Sequence, residues 1–396
     1  MKKFASFLLA ATALGAIPAL AQGDLPYSSA EILKYPVGMY PGEIAGVATN
    51  SKGHIFIYER TGRPSASLGG SRVFVTGGSD LVEFDQTGKY VRKVSEETYG
   101  FLSANSVRVD KQDNVWVADR YSGMVLKFSP DLSRIVMTLG RKPESINISP
   151  GPGAAAGGGG RGAAPAAADP EAGGGGGRGA GGGAAAGGGA GGAGAAAAGG
   201  RGGGRGGRGG PPGSGSQQDL FTGAADVAWD AAGNIFVADT YGANNRVAKF
   251  TPDGVFIKSF GQTGSDNNSF SSPRSIAVDA AGNVYVADHG NSRIQVLSND
   301  LTYKSTITGV GAPAAVCVSG GAHPYLYSSN SNPVNDIDSG GEIYRLELSG
   351  TVTGKIGRAG KASGEFGSVN QLDCRGANTL LTAEVGNFRV QKVTLR

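Results

Sequence analysis

Short apolar runs separated by polar turns recur along the chain. Val115–Asp119 reads VWVAD, Ile235–Asp239 reads IFVAD and Val284–Asp288 reads VYVAD. Five residues are too few for a helix, and β-branched and aromatic side chains favour a pleated, half-buried surface, so each run predicts a strand. Each is preceded by a tight joint, such as Asp-Ala-Ala-Gly-Asn at 230–234 and 279–283, and before that by another apolar run. Gly and Asn at such joints suit hairpins, because they tolerate positive φ. Full copies run from Ser106 to Arg120, Asp226 to Thr240 and Ser275 to His289. A looser copy runs from Gly46 to Arg60, and degenerate ones start at Ala315 and Gln371. That makes six repeats.

Third and fourth runs follow several copies. The third begins at Arg246, Arg293 and Arg389, each two residues after an Asn, and the fourth lies near Val255, Ser133 and Thr351. Four antiparallel strands per repeat and six repeats predict an all-β, six-bladed β-propeller, in which radial repetition leaves few exposed edges. The last repeat ends at Arg396 without a fourth strand. The apolar segment Ala30 to Val37 is expected to supply it, with Glu31–Val37 pairing against Val390–Leu395. The acids that end the second strands (Asp119, Asp239, Asp288, Glu384) and the arginines of the third recur from repeat to repeat. Recurrence around a ring suits turn capping better than a unique site.

Two segments stand outside this pattern. Residues 1–21 have a basic head, an apolar stretch and Ala19-Leu20-Ala21 before Gln22, the layout of a cleaved export signal. Residues 147–217 are almost wholly Gly, Ala, Pro and Arg, and account for many of the 70 glycines. With no apolar periodicity they cannot bury enough surface to offset their ordering entropy, so a disordered insert is expected. The domain reading is therefore a signal over 1–21, a closing strand and two blades over 22–146, the insert over 147–217, and four blades over 218–396. The formal charge of +4 comes from the signal and the insert. The remainder is close to neutral, which gives no electrostatic footprint for nucleic acid. No later stretch is long and apolar enough to span a bilayer as a helix. An exported monomer, periplasmic or extracellular, is expected. Cys317 and Cys374 are the only cysteines, and export permits a disulfide. Their adjacent, non-identical strand positions point to opposite faces of the repeat frame, which favours two buried free thiols.

The order and linkers of the repeats resemble NHL-repeat propellers. More narrowly, Tyr58 to Ser65 (YERTGRPS), Asp239 to Thr251, Phe270 to Ala280 and Ala383 to Val393 resemble the peptidyl-α-hydroxyglycine α-amidating lyase family. The resemblance spans Glu43 to Arg396 without the insert. It implies a zinc held by three histidines at the entrances of blades two, four and six, which here are Asn105, Arg274 and Asn370. Amides bind zinc poorly and a guanidinium is a permanent cation, so neither zinc nor the family's calcium is expected as a cofactor. The calcium Asp corresponds to Gln371. The family's substrate arginine and proposed tyrosine base correspond to Arg60 and Tyr241, the two positions with a catalytic role by resemblance alone. A further family arginine is His289. His54 and His323, the other two histidines, read as turn residues.

Three functions follow. The first is an exported binding propeller that takes a small anion, a peptide terminus or a partner protein at Asn105, Arg274, His289 and Asn370, without metal. The second is a lyase-like enzyme with an altered site. The third is a structural envelope or matrix protein.

Overall fold

The computed structural model describes residues 23–62, 78–94, 98–141, 220–240, 244–333, 336, 338–376 and 378–396, together with the backbone of strands Ser65–Leu68 and Arg72–Val75. The expected export signal over 1–21 and the expected insert over 147–217 lie outside these residues. The described strands form six antiparallel four-stranded sheets and one two-stranded hairpin. Each four-stranded sheet is one blade. Blade one has Glu43–Thr49, Ile55–Arg60, Ser79–Phe84 and Tyr90–Val94. The hairpin Ser65–Leu68/Arg72–Val75 is inserted between its second and third strands, a feature the repeat pattern does not announce.

The first strands of the blades line the axis. They are Glu43–Thr49, Ala104–Val109, Ala224–Trp229, Pro273–Val278, Pro313–Val318 and Val369–Gly376. Each contacts the next, and the last contacts the first, so the ring closes. The apolar core is correspondingly divided among the blade interfaces. Tyr58, Phe101 and Leu126 pack between blades one and two, and Phe236, Phe270 and Val286 between three and four. Ile57, Val82 and Val390 pack between six and one.

Ring closure differs in register from the expectation. Tyr27–Glu31 pairs with Gln391–Leu395, Tyr27 opposite Leu395 and Glu31 opposite Gln391. The closing strand thus lies about four residues upstream of Glu31–Val37. The apolar run has another use: Ile32, Leu33 and Tyr35 turn away from the edge and pack on the cluster between blades six and one. Tyr35 meets Phe84 edge-on at 5.2 Å.

The cysteines also correct the sequence reading. Cys317 and Cys374 form a disulfide, with Cα atoms 6.1 Å apart. Cys317 is on the first strand of blade five and Cys374 on the first strand of blade six. Opposite faces of a common repeat frame are what this bond needs, because one face of each blade looks at the opposite face of its neighbour. The free-thiol expectation failed by treating two blades as one.

At the joints, Asp110, Asp230 and Asp279 each accept from the backbone and side chain of the Asn four residues later. Gly233 (φ +87°) and Gly282 (φ +83°) take the left-handed conformation that joint requires. Among the described residues no helix is long and apolar enough to cross a membrane.

Candidate ligand site at the strand-entry end of the channel

Every first strand carries a register irregularity near its start. In five blades one residue is skipped in the pairing: Ala45, Asn105, Ala225, Arg274 and Asn370. In blade five two are skipped, Ala314 and Ala315, and Ala314 holds the matching place. Such bulges re-aim a side chain out of the blade face. Here they alternate around the ring: polar on blades two, four and six, and alanine on one, three and five. Asn105, Arg274 and Asn370 therefore occupy equivalent places on alternate blades, and all three are buried.

Hydrogen bonds show what the two amides do. Asn370 Nδ2 donates to Ala45 O at 2.6 Å and to Asn105 O at 2.8 Å. Asn105 Nδ2 donates to Ala225 O at 2.6 Å. Together they staple blades six, one, two and three at the channel entrance. The side-chain Oδ1 of Asn105 is buried and has no hydrogen-bond partner among the described residues. A buried acceptor left unpaired costs about 1–3 kcal/mol, so this oxygen is a natural place for a donor from a ligand.

Arg60 joins the same neighbourhood. It is buried, its Nε donates to Ala104 O at 2.8 Å, beside Asn105, and its Nη1 lies 3.2 Å from Glu43. His289 is half-buried at the start of the short turn His289–Asn291. The pairing of Pro273 with Asp288 sets it beside Arg274. Tyr241 lies outside the described residues. The structure thus gathers Arg60, Asn105 and Asn370 on one side and Arg274 with His289 on another, at one end of the channel.

One member of this group escaped the sequence reading. Arg120 directly follows Asp119, as Arg60 follows Glu59 and His289 follows Asp288. It is buried, donates from Nε to Ser103 Oγ at 3.2 Å and lies over the Tyr121 ring. The signal was present, since VWVAD-Arg120 and IFIYE-Arg60 align in the repeat frame.

Further in, the channel is sealed. Arg108 sends a bidentate pair to Asp226 of blade three, Nε to Oδ1 at 3.0 Å and Nη2 to Oδ2 at 2.6 Å. It also donates from Nη1 to Leu372 O of blade six at 3.3 Å. Burial alone would depress its pKa, but Asp226 outweighs that and holds the guanidinium charged. Gln371 fills the remaining gap. Its Oε1 accepts from Val47 N and Val107 N, both at 3.0 Å, and its Nε2 donates to Val107 O at 2.7 Å. Gly46 makes room for it: a Cβ there would sit 2.6 Å from Gln371 Oε1. The position that corresponds to the family's calcium ligand is thus a clasp between blades.

The recurring acids and arginines serve the blades. Asp288 accepts from Ser271 N, Asn291 Nδ2 and Arg293 Nε, the last at 2.7 Å. Asp239 with Asn244 and Arg246, and Glu384 with Asn387 and Arg389, repeat the arrangement. His54 pairs with Glu83 at 2.7 Å, and exposed His323 lies against Tyr325.

The NHL-repeat family model matches residues 270–297, which are most of blade four. The chain carries an NHL repeat in a six-bladed propeller. Among solved structures, it is similar to a protein of unknown function from Bacteroides thetaiotaomicron at 11% identity, with 94% of this chain and 77% of that one covered and a TM-score of 0.56. It also matches a streptogramin B lyase at 11% identity, covering 93% of this chain and 98% of that one with a TM-score of 0.49. At such identities the likeness concerns the fold alone. No curated protein matches the chain.

Proposed function

We propose that this chain is an exported binding propeller that holds a small carboxylate, most fittingly a peptide C-terminus, at the strand-entry end of its channel without a metal ion. The observation that carries the reading is the alternation of bulge residues. Asn105, Arg274 and Asn370 bring polar side chains to three places around the mouth, alternating with the alanines Ala45, Ala225 and Ala314. Arg60, Arg120 and Arg274 add cationic donors at the same end, and charge-assisted hydrogen bonds to a carboxylate contribute roughly 1.5–3 kcal/mol each. The unpaired Asn105 Oδ1 suits the N–H carried by the α-carbon next to the carboxylate, as in a terminal peptide unit. Two amides already donating to backbone carbonyls, with a guanidinium between them, make a poor set for zinc.

The test is calorimetric titration of the mature protein with an acetylated tripeptide and with its C-terminal amide, alongside metal analysis. The free acid is expected to bind and the amide is not, with affinity falling in Arg274→Ala. Equal binding of acid and amide, or stoichiometric tightly held zinc, contradicts the reading. The alternative, a lyase-like activity at Arg60 and Tyr241, is supported only by the sequence resemblance.

A further inference from the structure

The opposite end of the channel holds a second space, lined by none of the residues discussed for the mouth. It is a cavity of about 280 Å³ between the hairpin ends of the first strands, with Arg108 among its lining residues. The Arg108–Asp226 pair and Gln371 lie between the two ends, so the spaces are chemically separate. Much of its wall is apolar and includes Trp229, Ile276 and Val318.

The charged groups at this cavity are unequally used. Asp110 is consumed within its own hairpin: it accepts from Gln112 N, Asn114 and Trp116 Nε1, and lies 3.2 Å from Lys127. Burial pushes its pKa up, yet these bonds outweigh it and leave the carboxylate below its ordinary range. Asp373 accepts from Thr49 N, Thr49 Oγ1 and Arg375 N. The cations keep capacity. Lys111 is exposed and forms no hydrogen bond or ion pair among the described residues. Arg375 gives Nη2 to Val109 O, lies 3.8 Å from Asp373, and leaves 42% of its side chain exposed. The acids are thus spent inside the protein and the donors at the rim are not.

We propose that this cavity is a second ligand site, for a small amphipathic carboxylate whose apolar or aromatic body lies against Trp229, Ile276 and Val318 and whose carboxylate is held by Lys111 and Arg375. An apolar wall with a few convergent polar groups is the usual composition of a small-molecule pocket. The proposal stands independently of the reading for the mouth.

The chain's two tryptophans, Trp116 and Trp229, stack at 5.6 Å, and Trp229 lines the cavity, so intrinsic fluorescence reports on it. Benzoate titrated into the mature protein is expected to change the emission saturably in the millimolar range. Its neutral counterpart benzamide should bind about tenfold more weakly or worse, the loss of one charge-assisted bond. Lys111→Ala and Arg375→Ala should each weaken benzoate by about tenfold, and Lys361→Ala, at an exposed lysine outside the cavity lining, should leave it unchanged. Lys111 is exposed, so its variant tests the site even if Arg375→Ala folds poorly. Absence of saturable binding, equal affinity for benzamide, an unchanged Lys111→Ala titration or an equal loss in Lys361→Ala would each overturn the proposal.

Discussion

Blades three, four and six differ from blades one and two in where they keep an arginine. In the first group the buried acid that ends the second strand (Asp239, Asp288, Glu384) is paired with an arginine at the start of the third. In blades one and two the acid remains, as Glu59 and Asp119, but the arginine stands immediately after it, as Arg60 and Arg120. Glu59 accepts from Gly42 N, and Asp119 from Leu102 N, Ser103 N, Ser122 N and Tyr58 Oη. Burial raises both acids, Glu59 to about 7, and backbone donors only partly oppose it. Blade five has neither form. Asn330 takes the acid's place, accepting from Ala312 N and donating to Glu342, and the blade is tied to blade six by the disulfide. Moving one residue type by a few positions changes what it holds: Arg60 reaches Ala104 O on blade two, and Arg120 reaches Ser103 Oγ.

The largest effect should come from breaking a clamp. Arg293→Ala strands Asp288, which is fully buried, without its cation, and is expected to lower stability by about 3–5 kcal/mol in urea unfolding. An unchanged midpoint would remove the clamp side of the comparison. Blade five is next. The double variant Cys317→Ala/Cys374→Ala should lose about 2–4 kcal/mol, because 57 residues separate the bonded pair and the bond restrains that loop when unfolded. Reduction of the wild type should match it.

The blade-one acid gives a pH signature. The folded-state pKa of Glu59 lies above its ordinary 4.5, so between about pH 4.5 and 7 the native state holds a proton that the unfolded state has lost. Stability contributed by this group is complete below 4.5, falls as pH rises to about 7, and is then constant. The span is about 3 kcal/mol. Glu59→Gln should flatten that slope, and a profile identical to wild type would refute the assignment. The smallest effect is expected from Glu43→Gln. Glu43 is 40% exposed, so its pair with Arg60 should contribute less than about 1 kcal/mol, measurable as a small shift in urea midpoint.

The scaffold was readable because propeller information is local and repeated. VWVAD, IFVAD and VYVAD each specify a strand, and six copies imply the ring. Long-range pairing was less legible. Val37 and Tyr40 proved highly exposed, and Ile32, Leu33 and Tyr35 were drawn to a blade interface, so apolar content misplaced the closing strand by a few residues. Cys317 and Cys374 went wrong because a face within one blade says nothing about which neighbour it meets. At the mouth, only the family resemblance pointed to Asn105, Arg274 and Asn370. It could not show that both amides staple neighbouring blades. Arg108 was visible as a lone charge in an apolar strand, but its partner Asp226 is 118 residues away.

The central claim is that the arginines facing the mouth bind ligand while the clamp arginines only hold blades. Urea unfolding with and without the acetylated tripeptide at ten times its Kd tests this directly. Wild type and Arg293→Ala should both gain about 1.4 kcal/mol from the ligand, although Arg293→Ala starts from a lower value. Arg274→Ala should gain nothing, whatever stability it starts from. An equal ligand-induced gain in Arg274→Ala, or none in wild type, would contradict the account.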